Sequence, residues 1–305
     1  MPISTRPATT SFTQYLAAKK SIDDRALNPR VSAELVHAIS AVPRPRVLEV
    51  GCGIGTMLER MIERDVLNTA EYLGLDLLDL NILEAQARVA GWAHDHRYSV
   101  TVSSDGLHLE APGLSIGAHF SQADVTRLAN QPGSWDLLVA HALLDLVDVP
   151  TALRALLPLL KPGGLFYFSL VFDGLTIFGP ELDPRLDALI MDLYHRSMDE
   201  RTVGGLPSGG SRAGRYLFHH LRGLGAELLE AGSSDWVIFP RGGEYSEDES
   251  EFLSWILNFI ETSLSNHPEL DASSLEDWIE QRRLQLERGE LVYIAHQLDF
   301  LGRLA

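Results

Sequence analysis

Only one cysteine, Cys52, occurs among 305 residues, so no intrachain disulfide can form. That scarcity suits a reducing compartment. Nowhere do about 18 apolar residues run together, so no transmembrane helix is expected. The first residues, Met1-Pro2-Ile3-Ser4-Thr5-Arg6-Pro7, lack the apolar centre of a signal peptide. The expected location is cytoplasmic. Positive charge is also scarce: 25 Lys and Arg stand against 42 Asp and Glu, a formal net charge of −17. Such a surface repels phosphate backbones and anionic lipids at long range, which disfavours nucleic acids and membranes as partners. Small molecules are the better expectation. No cysteine pair is available for a metal, and His94 and His96 are too sparse a pair to hold one. No internal repeat or low-complexity tract is visible. What is left is ordinary for a globular chain, with 45 % apolar and 22 % charged residues. The length suits one large α/β domain with additions, or two small domains.

Against this background one stretch stands out. Arg46-Val47-Leu48-Glu49-Val50 reads as an apolar strand, and it runs straight into Gly51-Cys52-Gly53-Ile54-Gly55-Thr56. Met57 to Ile62 then has helical character. A glycine-rich turn between strand and helix lets a ligand touch bare backbone, because side chains at Gly51, Gly53 and Gly55 would block it. The dinucleotide fingerprint Gly-x-Gly-x-x-Gly is a competitor, with its third glycine packing helix on strand. Counted from Gly51 that place holds Thr56, and counted from Gly53 it holds Leu58. Neither register fits. A tight turn with no ligand is the plainest alternative.

Strands and helices alternate beyond this turn. Glu71 to Asp76 reads as a second strand, followed by a helix from Asp79 to about Gly91. Tyr98 to Val102 and Leu107 to Leu109, joined by Ser104-Asp105-Gly106, read as an inserted hairpin near 95–117. His119 to Asp124 and Trp135 to Ala140 suit a third and a fourth strand. Lys161-Pro162-Gly163-Gly164 stops an apolar helix, and Leu165 to Phe172 suits a strand covered on both faces. Arg185 to Glu200 and Tyr216 to Leu224 read as helices, Val203 to Gly214 as a glycine-rich loop, and Ser233 to Phe239 as a strand. Phe252, Trp255, Ile256 and Phe259 fall at i, i+3, i+4 and i+7 of a helix over Glu247 to Ser265. A further helix is expected to start at Ser274, with that residue as its cap.

The pattern Glu49-x-Gly51-x-Gly53-x-Gly55 resembles motif I of the class I S-adenosylmethionine-dependent methyltransferases. Recognisable motifs cover residues 44 to 172, and pattern alone covers the rest. The resemblance implies a three-layer α/β fold with a mostly parallel seven-stranded sheet and an antiparallel last strand. Leu291 to Phe300 would supply that strand. The implied organisation is an N-terminal helical segment over 1–43 and a cofactor-binding core over 44–240. A helical insertion or lid over 241–289 and the last strand over 290–305 complete it. Glu49 then supports the glycine loop through backbone hydrogen bonds. Gly51, Gly53 and Gly55, with Cys52 between them, approach the methionine part of S-adenosylmethionine. Asp76, 25 residues after Gly51, accepts both ribose hydroxyls, and Leu77 packs on the adenine. Asp124, with Val125 beside it, meets the adenine amino group; a helix cap is the simpler role for Asp124. Ala140 and His141 lie where the fourth strand opens toward the cofactor.

The implied activity is methyl transfer to a small molecule, in which positioning and desolvation supply much of the catalysis. A base is needed only where the acceptor carries a proton at neutral pH. His141 is the first candidate and Asp145 the second; a hydrogen-bonded structural contact and a surface or capping role are the plainer readings. Tyr194, His195, Arg212 and Arg215 are candidates to line the acceptor site. The fourth strand lacks the Asn/Asp-Pro-Pro-Tyr signature of amino-group methyltransferases. Two readings of other classes stay open: a cofactor-binding regulator without transfer, and a nicotinamide-dependent oxidoreductase.

Overall fold

A computed structural model describes residues 9–124 and 132–304, with side chains from residue 12 onward. Two helices come first, α1 (Thr9–Ala26) and α2 (Pro29–Ile39). Then β1 (Arg46–Val50), α3 (Thr56–Glu63), β2 (Thr69–Asp76) and α4 (Asp79–Asp95) follow. The middle of the chain forms β3 (Ser99–Ser103), β4 (Gly106–Ala111), β5 (Leu114–Gln122), β6 (Trp135–His141), α5 (Val149–Leu156) and β7 (Leu160–Gly179). Beyond it lie α6 (Pro184–Asp199), β8 (Thr202–Val203), β9 (Leu206–Pro207), α7 (Ala213–Gly223), β10 (Ala226–Ser233) and β11 (Trp236–Ile238). The chain closes with α8 (Glu247–Leu264), α9 (Ala272–Glu287) and β12 (Val292–Leu304).

The sheet runs β10-β12-β7-β6-β1-β2-β5-β4-β3, with β11 paired on β12. Strands β5, β2, β1, β6 and β7 are mutually parallel, and β12 runs antiparallel to both β7 and β10. Seven strands were expected, and among the described residues the sheet has ten. The other three are β3 and β4, which continue the edge beyond β5, and β10, which pairs along β12 next to β11. The strand expected over Ser233 to Phe239 is realised as β11 alone, and β10 before it was not expected.

Helices cover both faces. On one, Val31 and Leu35 of α2, Met57 and Met61 of α3 and Val89 of α4 bury against Val47, Tyr72 and Val139. On the other, Leu153 and Leu156 of α5 and Leu217 and Leu221 of α7 bury against Leu48, Leu138 and Phe168. A third apolar cluster sits over the carboxyl ends of the strands. It joins Tyr15 and Ile22 of α1, Ile190 and Leu193 of α6 and Phe252, Trp255 and Ile256 of α8 to Phe172, Phe178 and Tyr293. This cluster exists because β7 is 20 residues long and outruns β6, which it leaves at His141–Ser169. Its free half pairs on with β12 to Val292–Gly179 and offers a fresh surface to cover.

The apolar stripe of α8 is buried as its spacing demands, and Ser246 with Glu249 forms a capping box at its start. The cap of α9 differs from expectation: Asp271, not Ser274, takes the role, accepting the Ser274 N–H at 2.9 Å. The carboxylate at Asp271 starts the helix three residues sooner and captures the orphan Ser274 N–H of its first turn. No helix among the described residues is long and apolar enough to cross a membrane.

Candidate functional site

Strand β1 ends in a turn whose three glycines all have left-handed backbone: φ is +71° at Gly51, +52° at Gly53 and +81° at Gly55. The turn is closed by Cys52 N–H to Leu75 O and by Gly55 N–H to Cys52 O, both 2.9 Å. The glycines are not equivalent. A Cβ on Gly51 would lie 2.9 Å from Leu143 Cδ1, and one on Gly55 would lie 2.9 Å from Val89 Cγ2. Packing inside the fold accounts for both. At Gly53 a Cβ would meet nothing closer than Leu16 Cδ1 of α1, at 3.5 Å. The packing leaves room at Gly53, the middle glycine, and α1 forms its roof. The Cys52 side chain turns inward, and burial pushes its thiol pKa up.

Asp76, at the end of β2, stands beside this turn. Its Oδ2 accepts the Gly53 N–H at 2.9 Å, and its Oδ1 accepts Leu78 N–H at 2.9 Å and Asn81 Nδ2 at 3.0 Å. A carboxylate offers about four acceptor positions, so roughly one is left for a ligand. The acid thus orders the loop before it can bind anything, a role the sequence did not suggest. Leu77 and Leu78 next to it are 57 % and 44 % exposed, an apolar ledge at the mouth. Ala123 N–H bonds Asp76 O at 2.8 Å, which draws Asp124 to the same strand end. Val125 lies outside the described residues.

Glu49 does not support the loop through backbone hydrogen bonds as expected. Among the described residues its carboxylate takes the Tyr72 hydroxyl, and burial pushes its pKa up to about 7. Strand alternation explains the difference, since Glu49 points into the sheet's packed face rather than along the turn.

His141 ends β6 next to Ala140, which is fully buried. Its Nδ1 lies 2.8 Å from Ser169 Oγ and its Nε2 lies 2.9 Å from Asp23 Oδ2 of α1. Asp23 also takes Lys19 Nζ at 2.6 Å and Trp236 Nε1 at 2.9 Å. Burial and the positive charge of Arg60 hold the His141 pKa down at about 4, against its attraction to Asp23. The neutral ring donates from Nε2 to Asp23 and accepts the Ser169 hydroxyl at Nδ1. Neither nitrogen is left for an acceptor's proton, so His141 serves here as a clasp between β6 and α1. The same helix is held by Lys20 to Glu63 at 3.0 Å, by Asp24 to Arg60, and by Arg25 to Glu249 at 2.6 Å.

The clasp has a pH signature. His141 in the folded chain holds fewer protons than in the unfolded chain between its ordinary 6.5 and about 4. Its contribution is therefore complete above pH 6.5 and lost as pH falls toward 4. Glu49, raised to about 7, has the opposite sign: its contribution is complete below 4.5 and lost as pH rises through 7. In melts across pH 4 to 7, His141→Gln is expected to remove up to about 3 kcal/mol of the acid-side loss of stability. An unchanged acid slope would refute the assignment.

Asp145 sits in the 3-10 turn Leu144–Leu146 just beyond. Burial raises its pKa, while its own backbone amide, Arg201 and Lys19 pull it back. The remaining expected residues divide. Tyr194 is close enough to Asp145 for the carboxylate to raise its phenol further. His195 Nε2 meets Thr176 Oγ1 at 3.0 Å and its ring lies 5.5 Å from Phe172. Arg215 is tied to Asp173, with Nε to Oδ1 at 2.9 Å and a guanidinium N–H to the backbone O at 3.0 Å. Arg212 is exposed at the start of α7. Those two arginines were expected on a mobile glycine-rich loop. That segment instead holds the β8–β9 hairpin and the start of α7, and Arg201 is the arginine beside Asp145. Lys19, Asp23, Arg201 and Gln297 were missed; each is an unremarkable residue whose place is set by distant pairing.

Two open grooves, about 400 and 550 Å3, lie at the amino ends of the strands. They are at the wrong end. In a parallel sheet ligands bind beyond the carboxyl ends, where the glycine turn, Asp76 and His141 converge.

The family described as “Methyltransferase domain” matches residues 24–204, more than half of the 305. The chain belongs to this methyltransferase family. Similar proteins include a ubiquinone biosynthesis O-methyltransferase of Xanthomonas campestris pv. campestris, 34 % identical over 146 residues, 47 % of this chain and 50 % of that protein. One of Burkholderia thailandensis with the same description is 27 % identical over 210 residues, 67 % of this chain and 73 % of that protein. The chain spans about half the length of several of the curated relatives it matches. Among solved structures, a putative methyltransferase from Bacillus halodurans superposes with a TM-score of 0.52 at 13 % identity, covering 89 % of this chain and 97 % of that one. A methyltransferase from Thiobacillus denitrificans, solved with S-adenosylhomocysteine, gives 0.50 at 14 %, covering 98 % and 99 %. At these identities the likeness concerns the methyltransferase fold.

Proposed function

We propose that the chain transfers a methyl group from S-adenosylmethionine to a small molecule. The observation that carries this reading is the glycine turn hooked by Asp76: an open position at Gly53 beside a carboxylate with one acceptor position left. The site fits the cofactor. Gly53 would offer bare backbone to its amino-acid part, Asp76 would accept a ribose hydroxyl, and Leu77 with Asp124 would flank the adenine. When bound, the cofactor supplies an electrophilic methyl carbon on sulfur, and the sulfur keeps the bond pair. The nicotinamide reading is weaker because Thr56 occupies the place of the helix-packing glycine. A regulator without transfer would need no base near the site, and Asp145 argues against that. The net charge of −17 favours a small acceptor over a nucleic acid.

Asp145, rather than His141, is the base this reading requires. Its carboxylate is desolvated, it lies four residues beyond His141, and among the described residues no other side chain hydrogen-bonds to it. It accepts the acceptor's proton as the new bond forms and releases it to water afterwards. Asp145→Asn is expected to lower turnover by about 10²–10⁴-fold while the cofactor dissociation constant stays within twofold. Equal turnover would remove Asp145 from the reaction. The reading as a whole is tested by titration with S-adenosylhomocysteine and with NAD. Incubation with labelled cofactor and a metabolite extract follows, scored by mass for a gain of one methylene. Binding of NAD alone would overturn it.

A further inference from the structure

Above the carboxyl ends of β6 and β7, several polar groups are buried with nothing to bond. Gln297 of β12 is 1 % exposed, and neither its Nε2 nor its Oε1 has a partner among the described residues. The Arg201 Nε is likewise enclosed and unpartnered. Tyr15 of α1 and Tyr293 of β12 are buried and Tyr194 of α6 is half-buried, and none of the three hydroxyls makes a hydrogen bond to a described residue. Burial pushes the Tyr15 and Tyr293 phenols up; Asp23 and then Tyr194 add to this at Tyr15, and Tyr194 and then Tyr15 at Tyr293. Buried polar groups in folded proteins are nearly always paired, so a cluster that is not paired points to a missing partner.

The cluster is one place. Tyr293 and Gln297 alternate with exposed neighbours along β12 and so share a face. Gln297 stands opposite Phe172 of β7, whose ring lies against His195. Tyr194 and Tyr15 both feel the Asp145 carboxylate, and Asp145 feels Arg201 and Lys19. The walls are flat rings: Tyr15 packs 5.8 Å from Phe252, and Tyr293 packs 5.1 Å from Phe178.

We infer that Tyr15, Asp145, Tyr194, Arg201, Tyr293 and Gln297 line the acceptor chamber, and that the acceptor is an uncharged planar ring bearing hydroxyl groups. The inference rests on the methyltransferase reading for its role, and on the unpaired groups for its chemistry. Charge argues for a neutral ligand. Lys19 is already held by Asp23, and Arg201 faces Asp145. An anion would compete with Asp145 for Arg201, and a cation would be set against Lys19 and Arg201. Hydroxyls both donate and accept, which is what a free amide with both ends open and three phenols demand. Aromatic walls favour a ring over a flexible chain. One hydroxyl given to Asp145 would be the methylated one.

The full chain is titrated with phenol, benzoate and benzylammonium, with and without saturating S-adenosylhomocysteine, using ligand-observed NMR. Phenol is expected to bind at least fivefold more tightly than either charged ring. Gln297→Leu keeps the volume, removes the unpaired amide and should raise the melting temperature. It is expected to weaken phenol at least fivefold and to leave S-adenosylhomocysteine binding within twofold. Tyr194→Phe should weaken phenol in the same direction. Preference for benzoate or benzylammonium overturns the chemistry. Phenol binding that survives Gln297→Leu, or no phenol binding by a chain that binds S-adenosylhomocysteine, overturns the chamber and spares the methyltransferase reading. Gln297-dependent phenol binding by a chain that ignores S-adenosylhomocysteine keeps the chamber and overturns that reading instead.

Discussion

Gly53→Val is expected to abolish S-adenosylhomocysteine binding, a fall in affinity of more than about 100-fold by calorimetry. Two physical effects add. At φ +52° a β-branched residue sits in a backbone region it strongly avoids, at a cost of roughly 1–3 kcal/mol. The side chain must also enter the space over the turn, because that is where a Cβ at this position leads: its first neighbour is Leu16 of the roof at 3.5 Å. Valine adds two methyl groups beyond that point and fills the gap between turn and helix. Gly53→Ala separates the terms, since it brings the backbone strain with only one carbon. Alanine should bind measurably and valine should not. Wild-type affinity in the valine variant would mean that the ligand does not use this turn.

Asp76→Ala should lower cofactor affinity by at least tenfold, and its partners explain why Asp76→Asn should do nearly as badly. The carboxylate already accepts from Gly53, Leu78 and Asn81. Hydrogen bonds to a charged group are worth roughly 1.5–3 kcal/mol each, and those here order the turn itself. An asparagine can point its oxygen at Leu78 and Asn81, but its NH2 then faces the Gly53 N–H, donor against donor. The loop loses its hook even though shape is conserved. The melting temperature should fall in both variants while a folded protein remains. If Asp76→Asn binds S-adenosylhomocysteine as tightly as wild type, the loop-ordering role is wrong. If Asp76→Ala does, the carboxylate has no part in the site.

In the proposed reading, cofactor affinity and loop order are one property at Asp76. A ligand-only description of that residue, natural from the sequence, leaves out the Gly53 hook. Similarly, His141 looks like a base when only its position at a strand end is known. Its two ring nitrogens turn out to face Ser169 and Asp23, the latter 118 residues away in the chain. In the proposed reading Asp145 is the base, because burial raises its carboxyl pKa and no other side chain hydrogen-bonds to it among the described residues.

Much of the frame was readable because it is local. Three glycines in a strand-to-helix turn announce left-handed backbone, and the apolar runs around them announce parallel strands. The inserted hairpin was legible through alternation and turn residues, whereas the antiparallel last strand was implied only by the family resemblance. Strand β10 was not, since Ala226-Glu227-Leu228-Leu229-Glu230 carries two carboxylates and no clean alternation; it forms because the antiparallel edge of β12 lacks a partner. The Asp271 cap was missed for a smaller reason, the presence of several competent cap residues within four positions.

By itself the sequence determined the family frame, the glycine turn, the acid after the second strand and the apolar stripe of α8, because backbone preference and periodicity act over a few residues. The tertiary structure alone decided that α1 roofs the turn through Leu16 and clasps His141 through Asp23. It alone left the Gln297 amide and the Arg201 Nε buried without partners among the described residues. Those pairings depend on which faces are buried against each other when a 20-residue strand outruns its neighbour and must be covered, and no short stretch of sequence encodes that.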